Sequence, residues 1–441
     1  MRTDGGLFDQ IAAGPELLAA TGDAAWLQAM LDAEAALASA QADAGIVPAG
    51  AAASVAAACR AEAFDAATIG ARARLGGNPV IPLVAALRAA VPKGARDWVH
   101  HGATSQDILD TAAMLVIQRS LHVVDGDLAA LAGACAALAE RHRRTVMAAR
   151  TLLQHALPTT FGLKAAGWLV AVVKARRGLT EAPLPLQLGG AAGTLASLGP
   201  RGLEVADAMA CRLGLAAPLL PWHTNRLPVA EVACRLGMAA GVAAKIATDV
   251  ALLMQSEVAE ASEPAAPGRG GSSTLPQKRN PVGCVAALAA ARHAHALVGL
   301  VLAGMAQEHE RAAGAWQAEG QALTDLLRAA GGAIARTREV VAGLEVDPAR
   351  MRANLDADGG LLLAERVTLA LAQRVGYAEA RGAVETAVAQ AQGAGATFAS
   401  ALRACTPFTE SEIRELLDAS SYLGAGDAMI DRALAAFHQG A

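Results

Sequence analysis

The chain is poor in aromatic side chains, has no run of one charge, and has no closely paired cysteines. Aromatics are only 3% of 441 residues, so the interior has to be built from Ala, Leu and Val rather than from large rings. Small side chains let helices approach closely, and Ala and Leu rank high in helix propensity. Charged residues make up 18%, the net charge is −4, and both signs are scattered, so no basic stripe of the kind nucleic acid demands is present. The six cysteines (Cys59, Cys135, Cys211, Cys234, Cys284 and Cys405) show no CxxC spacing. That argues against a disulfide framework or a metal site and for free buried thiols in a cytoplasmic protein. The opening MRTDGGLFDQ lacks the apolar run of a signal peptide. The most apolar stretch, 284–306, contains Arg292, His293 and His295, which lipid penalises, so it reads as a buried bundle helix and no membrane is expected.

What is present is a large apolar fraction, 54%, in a chain long enough for two or three domains. Trp26, Leu27, Met30, Leu31 and Leu37 form a helical stripe, with Thr21 or Asp23 as cap and Gly45 as stop. The segments 76–82 and 92–104 read as loops, and a long helical pattern starts near Asp107. Breaks fall at 183–202, 218–228 and 263–281, and no strand-like alternation persists. Thr409 and Glu412 make a capping box ahead of Ile413 and Leu416. The expected architecture is all-α in three parts: an N-terminal helical domain (1–106), a central long-helix bundle (107–348) with a loop at about 263–283, and a C-terminal helical domain (349–441).

The segment Gly270-Gly271-Ser272-Ser273-Thr274-Leu275-Pro276-Gln277-Lys278-Arg279-Asn280-Pro281 carries the chemistry. Its glycines and prolines make a loop rich in accessible N–H groups. Two serines add hydroxyls, Lys278 a cation and Asn280 an amide. Such a loop can wrap a carboxylate and stabilise an extra negative charge on it. A polar surface turn is the bland alternative, and the ordered run of so many specific residues argues against it.

This run resembles the GSSxMPxKxNP signature of the fumarase/aspartase superfamily, with Leu275 in place of the usual Met. His100-His101-Gly102-Ala103-Thr104-Ser105-Gln106-Asp107 is similar to that family's H-x-G-x-T-S-x-D segment. Thr151-Leu152-Leu153-Gln154-His155-Ala156-Leu157-Pro158-Thr159-Thr160-Phe161-Gly162 is similar to its T-H-x-Q-x-A-x-P-T-T-F-G segment. The resemblance implies that Ser273 transfers a proton at a carbon beside a carboxylate, and that Lys278, Asn280 and loop amides hold the enediolate that results. It further implies that His100, Thr104, Ser105, Gln154, Thr159, Ser272 and Arg226 contact a small di- or tricarboxylate substrate. No cofactor is implied. A homotetramer is, with each site assembled from segments of three subunits. His155, His223, His293, His295 and His309 read as core or surface histidines, and Glu257 and Glu260 as a helix face near a partner subunit.

The departures are as informative as the matches. Family lyases usually carry a His where this chain has Leu152, and often pair it with a Glu where this chain has Val285, five positions after Asn280. A lyase uses that pair for the proton of its leaving group. A cycloisomerase needs no such pair, because a tethered carboxylate of the substrate is itself the nucleophile and is already ionised. The blocks 25–32, 77–82 and 98–107, with Tyr422-Leu423-Gly424, resemble the bacterial 3-carboxy-cis,cis-muconate cycloisomerase branch, which often has Trp at the position of Leu152. The expectation is reversible lactonisation to 4-carboxymuconolactone in protocatechuate breakdown. The alternatives are a β-eliminating lyase acting on a substituted succinate, and a non-catalytic relative kept for structure.

Overall fold

The computed structural model describes residues 6, 8–181, 183–271, 274–275, 277–393 and 395–440, so Ser272 and Ser273 lie outside the described residues. The chain is helical almost throughout. Its long helices are Asp23–Asp43, Ser105–Arg141, Phe161–Thr180, Leu227–Leu253, Val282–Ala303 and Glu319–Ala342. The contacts divide the chain into two compact units, and every dividing point falls inside a long helix. One unit holds residues 1–128, 174–245 and 285–337; the other holds 129–173, 246–284 and 338–441.

In the first unit the long helices pack through small residues, as the Ala-rich composition requires. A Cβ on Gly237 would stand 2.8 Å from Val298, and one on Gly331 would stand 2.5 Å from Leu17. His295 bonds the Gly237 carbonyl at 3.0 Å. The Asp23–Asp43 helix starts at Gly22 with no side-chain cap. Thr21 instead turns its hydroxyl back to the Leu17 carbonyl and closes the preceding short helix. The expected loop at 76–82 shrinks to three residues. Helices cover Ala66–Gly76 and Val80–Ala90, and Pro82 sits in a first turn, where proline is tolerated.

The second unit contains strands where no strand-like alternation marks them in the sequence. Val146–Thr151 and Gln154–Thr160 form an antiparallel hairpin with an irregular register between Ala148 and Arg150. Met147 and Ala148 are its buried residues on the first strand. The helix Pro348–Asp356 follows the short pairing of Ala261–Ser262 with Glu345–Val346. C-terminal helices close over a core of Val367, Leu371, Val384, Phe398, Leu402 and Ile413. The capping box at Thr409 and Glu412 is formed in full.

All six thiols are free, but Cys211 is exposed and Cys234 and Cys405 are half-buried, so only three match the buried expectation. Burial pushes Cys59 and Cys135 up to about 12, which keeps both protonated. Three helices, Ser105–Arg141, Leu227–Leu253 and Val282–Ala303, are long and apolar enough to cross a membrane by length and composition.

Candidate active site

The named motifs fall into two clusters, one in each unit. In the first unit, Thr104 and Ser105 open the Ser105–Arg141 helix, and both are half-buried. Two residues on, Asp107 is fully buried and holds this corner in place. Its Oδ2 accepts from the N–H groups of Thr104 and Gly190, each at 2.9 Å. Its Oδ1 accepts from Gly189 N–H at 2.9 Å and meets His223 Nε2 at 2.7 Å. Gly189 has to be glycine for this contact, since a Cβ would stand 2.7 Å from both Pro221 and His223. The corner thus presents two hydroxyls at the N-terminus of a long helix, where an anion is favoured.

His100 stands at the start of the same corner with φ +61, a left-handed conformation that L-residues rarely adopt. Its Nδ1 lies 2.6 Å from Glu34 Oε1. Burial pulls the imidazole down, but the hydrogen bond and charge of Glu34, helped by Asp107 and opposed by Arg88, hold it above its ordinary value.

Arg226 is placed differently from its expected role as a substrate contact. It is 2% exposed, and its guanidinium is shared by two carboxylates inside the protein. Nη1 and Nη2 donate to Asp110 at 2.8 and 3.0 Å, while Nε and Nη2 donate to Glu319 at 3.0 and 2.5 Å. Trp316 Nε1 also donates to Asp110, at 2.9 Å. Burial opposes the charge on Arg226, but the two carboxylates override it and hold the group above its ordinary value. Glu319 is raised because its burial outweighs the attraction of Arg226. With its donors engaged by Asp110 and Glu319, Arg226 braces the helices of this unit.

Arg311 was not singled out in the sequence. It donates to Gln106 Oε1 at 3.1 Å and to the Ala191 carbonyl at 2.8 Å, linking the helix start to the 189–191 turn. Asp107 sat within a quoted motif, but nothing in its spacing marked it as the anchor.

In the second unit, the loop that carries the serines is tied at its base. Glu263, 3% exposed, accepts from Gly283 N–H at 3.1 Å and Cys284 N–H at 2.7 Å, capping the helix that follows the loop. Arg269 pairs with the same carboxylate at 3.3 Å. Arg279 donates to the Glu263 carbonyl at 2.8 Å. Asn280 N–H donates to the Gly270 carbonyl at 2.9 Å, so the two ends of the 270–280 segment meet. Lys278 is exposed and Asn280 half-buried.

The hairpin of this unit carries Gln154, exposed, and Thr159, half-buried and paired with Met147. Leu152 and Leu153 form its tip, 97% and 74% exposed and both with positive φ. His155 lies 3.1 Å from Asp358, a tether to the loop before the C-terminal helices. Glu260 is not on a surface face. It is fully buried, bidentate with Arg150 at 2.9 and 2.6 Å, and bonded by Asn354 at 2.8 Å.

A long-helix fold with a corner of hydroxyls and imidazole in one unit and a Gly/Ser loop in the other is that of a helical lyase. A family profile described as Lyase matches residues 11–296, and one described as Adenylosuccinate lyase C-terminus matches 360–433. The chain belongs to this lyase family, the fumarase/aspartase superfamily, and is an enzyme of it. It is 47% identical to the 3-carboxy-cis,cis-muconate cycloisomerase of Bradyrhizobium diazoefficiens, over 94% of each chain. It is 45% identical to the nitrosuccinate lyase of Streptomyces davaonensis, over 98% of this chain and 94% of that one. The crystal structure of the 3-carboxy-cis,cis-muconate lactonizing enzyme of Pseudomonas putida matches with a TM-score of 0.93 and 41% identity, over 99% of each chain.

Proposed function

We propose that the protein is a 3-carboxy-cis,cis-muconate cycloisomerase that forms 4-carboxymuconolactone reversibly. The muconate-converting relatives carry this reading, and the loss of the lyase acid–base pair agrees with it. Leu152 and Val285, 97% and 58% exposed in the chain, offer no proton to a leaving group. In the proposed reaction a substrate carboxylate oxygen adds to the double bond and closes the lactone ring. The electron pair moves onto the neighbouring carboxylate as an enediolate, which Lys278, Asn280 and loop N–H groups stabilise. The Ser273 hydroxyl then delivers a proton to the adjacent carbon. His100, Thr104, Ser105, Gln154, Thr159 and Ser272 hold the substrate carboxylates. Ser273→Ala should cut turnover by roughly 10²–10⁴-fold, the usual range for a lost proton-transfer group. A variant as active as the parent removes the assignment.

A second reading is favoured by the nitrosuccinate lyase relative. Elimination from a substituted succinate needs Ser273 to take a proton from the carbon beside one carboxylate while the leaving group departs from the other carbon. A group that leaves as a stable anion, such as nitrite, needs no acid, so Leu152 and Val285 suit this reaction too.

The assembly belongs to the same proposal: a cytoplasmic homotetramer whose sites draw on three subunits, built from the parts 1–106, 107–348 and 349–441. Met238 and Leu252 on one long helix and Val285, Leu300 and Leu302 on another are 38–63% exposed in the single chain. Exposed large apolar side chains on long helices are what a helix-packing partner covers, and Arg292 and His293 make lipid a poor one. Sedimentation should give about four times the 44.5 kDa chain mass; a stable monomer contradicts the shared-site arrangement.

A further inference from the structure

The Asp23–Asp43 helix buries an apolar face interrupted by two polar side chains, Glu34 and Gln41, 1% and 0% exposed. They are seven residues apart, two helical turns, and so lie on one side. Both meet the same corner of chain. Gln41 Nε2 donates to the His101 carbonyl at 2.6 Å, and Glu34 Oε1 meets His100 Nδ1 at 2.6 Å. The corner needs holding, since His100 and Gly102 both have positive φ. A carboxylate on a buried apolar face is costly unless paired and hydrogen-bonded. Glu34 is nonetheless there, and its Oε2 has no hydrogen-bond partner among the described residues. A helix selected only for packing would carry an apolar residue at that position.

We infer that Glu34 is a positioning residue for His100, holding Nδ1–H so that the Nε2–H edge is turned to a carboxylate of the substrate. This rests on the reading that His100 meets the substrate. The His100 side chain is 14% exposed while that of Glu34 is fully covered, so the accessible edge of the ring is the one away from Glu34. The hydrogen bond at Nδ1 sets which nitrogen faces outward, and the carboxylate favours the charged ring, which binds an anion best. The charged groups around the ring are Glu34, Asp107 and Arg88. The Cys59 thiol is pushed up to about 12 by burial, with the charges of Glu34 and Asp32 adding to it, so it carries no charge.

The test is histidine-labelled NMR of the full-length protein across pH, alongside steady-state kinetics, for the parent, Glu34→Gln and Glu34→Asp, with His100→Asn to assign the signal. In Glu34→Gln the His100 ring should titrate at lower pH than in the parent. KM should rise roughly tenfold, the scale of one weakened charged hydrogen bond, with kcat changing less. The alkaline limb of kcat/KM should move to lower pH by the same interval as the NMR titration. Glu34→Asp keeps the charge on a shorter arm and should hold the titration near the parent's while still raising KM. An unchanged His100 titration in Glu34→Gln overturns the proposal, as does a KM raised equally at every pH. If neither 3-carboxymuconate nor nitrosuccinate is turned over, the reaction reading fails by itself. The NMR arm still decides, with succinate as probe: it should shift the His100 signal in the parent and less in Glu34→Gln.

Discussion

At the residue scale, the proposed site depends on Ser273, Lys278 and Asn280 in the loop and on the buried carboxylates of Glu34, Asp107 and Glu263. Ser273, Lys278 and Asn280 stand in a run too specific to be a chance turn. Glu34 is one of four acids in an Ala-rich helix, and nothing in its spacing separates it from a solvated face. Arg226 is the opposite case: an Arg in a plausible place reads as an anion contact, while the carboxylates that hold it, Asp110 and Glu319, lie 116 and 93 residues away in sequence. Removing it leaves two buried charges without their partner. Arg226→Ala should therefore lose about 3–5 kcal/mol in chemical denaturation. A raised KM with unchanged stability would instead return Arg226 to the substrate. Gly270 yields a second prediction. It has φ +68, and a Cβ there would stand 2.7 Å from the Asn280 carbonyl oxygen. Gly270→Ala should disturb the closure of the loop base and lower kcat/KM, while the melting temperature stays close to the parent's. Full activity in this variant would mean that the closure does not matter to the reaction.

At the element scale, long helices were readable because Ala and Leu dominate and Gly and Pro mark their ends, as at Gly45 and around 263–281. The hairpin was not, because its strand formers, Val146, Thr151, Thr159 and Thr160, sit at the strand ends, while Met, Ala, Arg, Gln, His, Leu and Pro fill the rest without a sustained alternation. What makes it a hairpin is the cross-strand ladder and the burial of Met147 and Ala148, neither visible locally. Its tip is unusual in kind. Two-residue turns with positive φ favour Asn and Gly, yet this one holds Leu152 and Leu153, exposed and left-handed. Left-handed backbone is costly for side chains other than Gly and Asn, so the tip holds a local strain that the rest of the hairpin supports. The loop base follows the same logic, with Glu263 capping the next helix and thereby fixing where the serine segment starts and stops.

At the scale of the whole molecule, the fold class followed from composition, since a chain with so few aromatics and so much Ala and Leu packs as close helices. The exposed apolar faces of those helices are the part that composition could not assign, because length and hydropathy alone suit a membrane as well as a bundle. Family membership gives the fold and the enzyme class. The reaction rests on which bond Ser273 serves. The most direct measurement is ultraviolet absorbance of the purified protein with 3-carboxy-cis,cis-muconate and, separately, with nitrosuccinate. The account predicts a rapid fall with the first, as lactonisation interrupts the conjugated diene, and no change with the second. A rise with nitrosuccinate as fumarate forms, and no fall with the muconate at high enzyme concentration, would contradict it and establish the eliminating lyase.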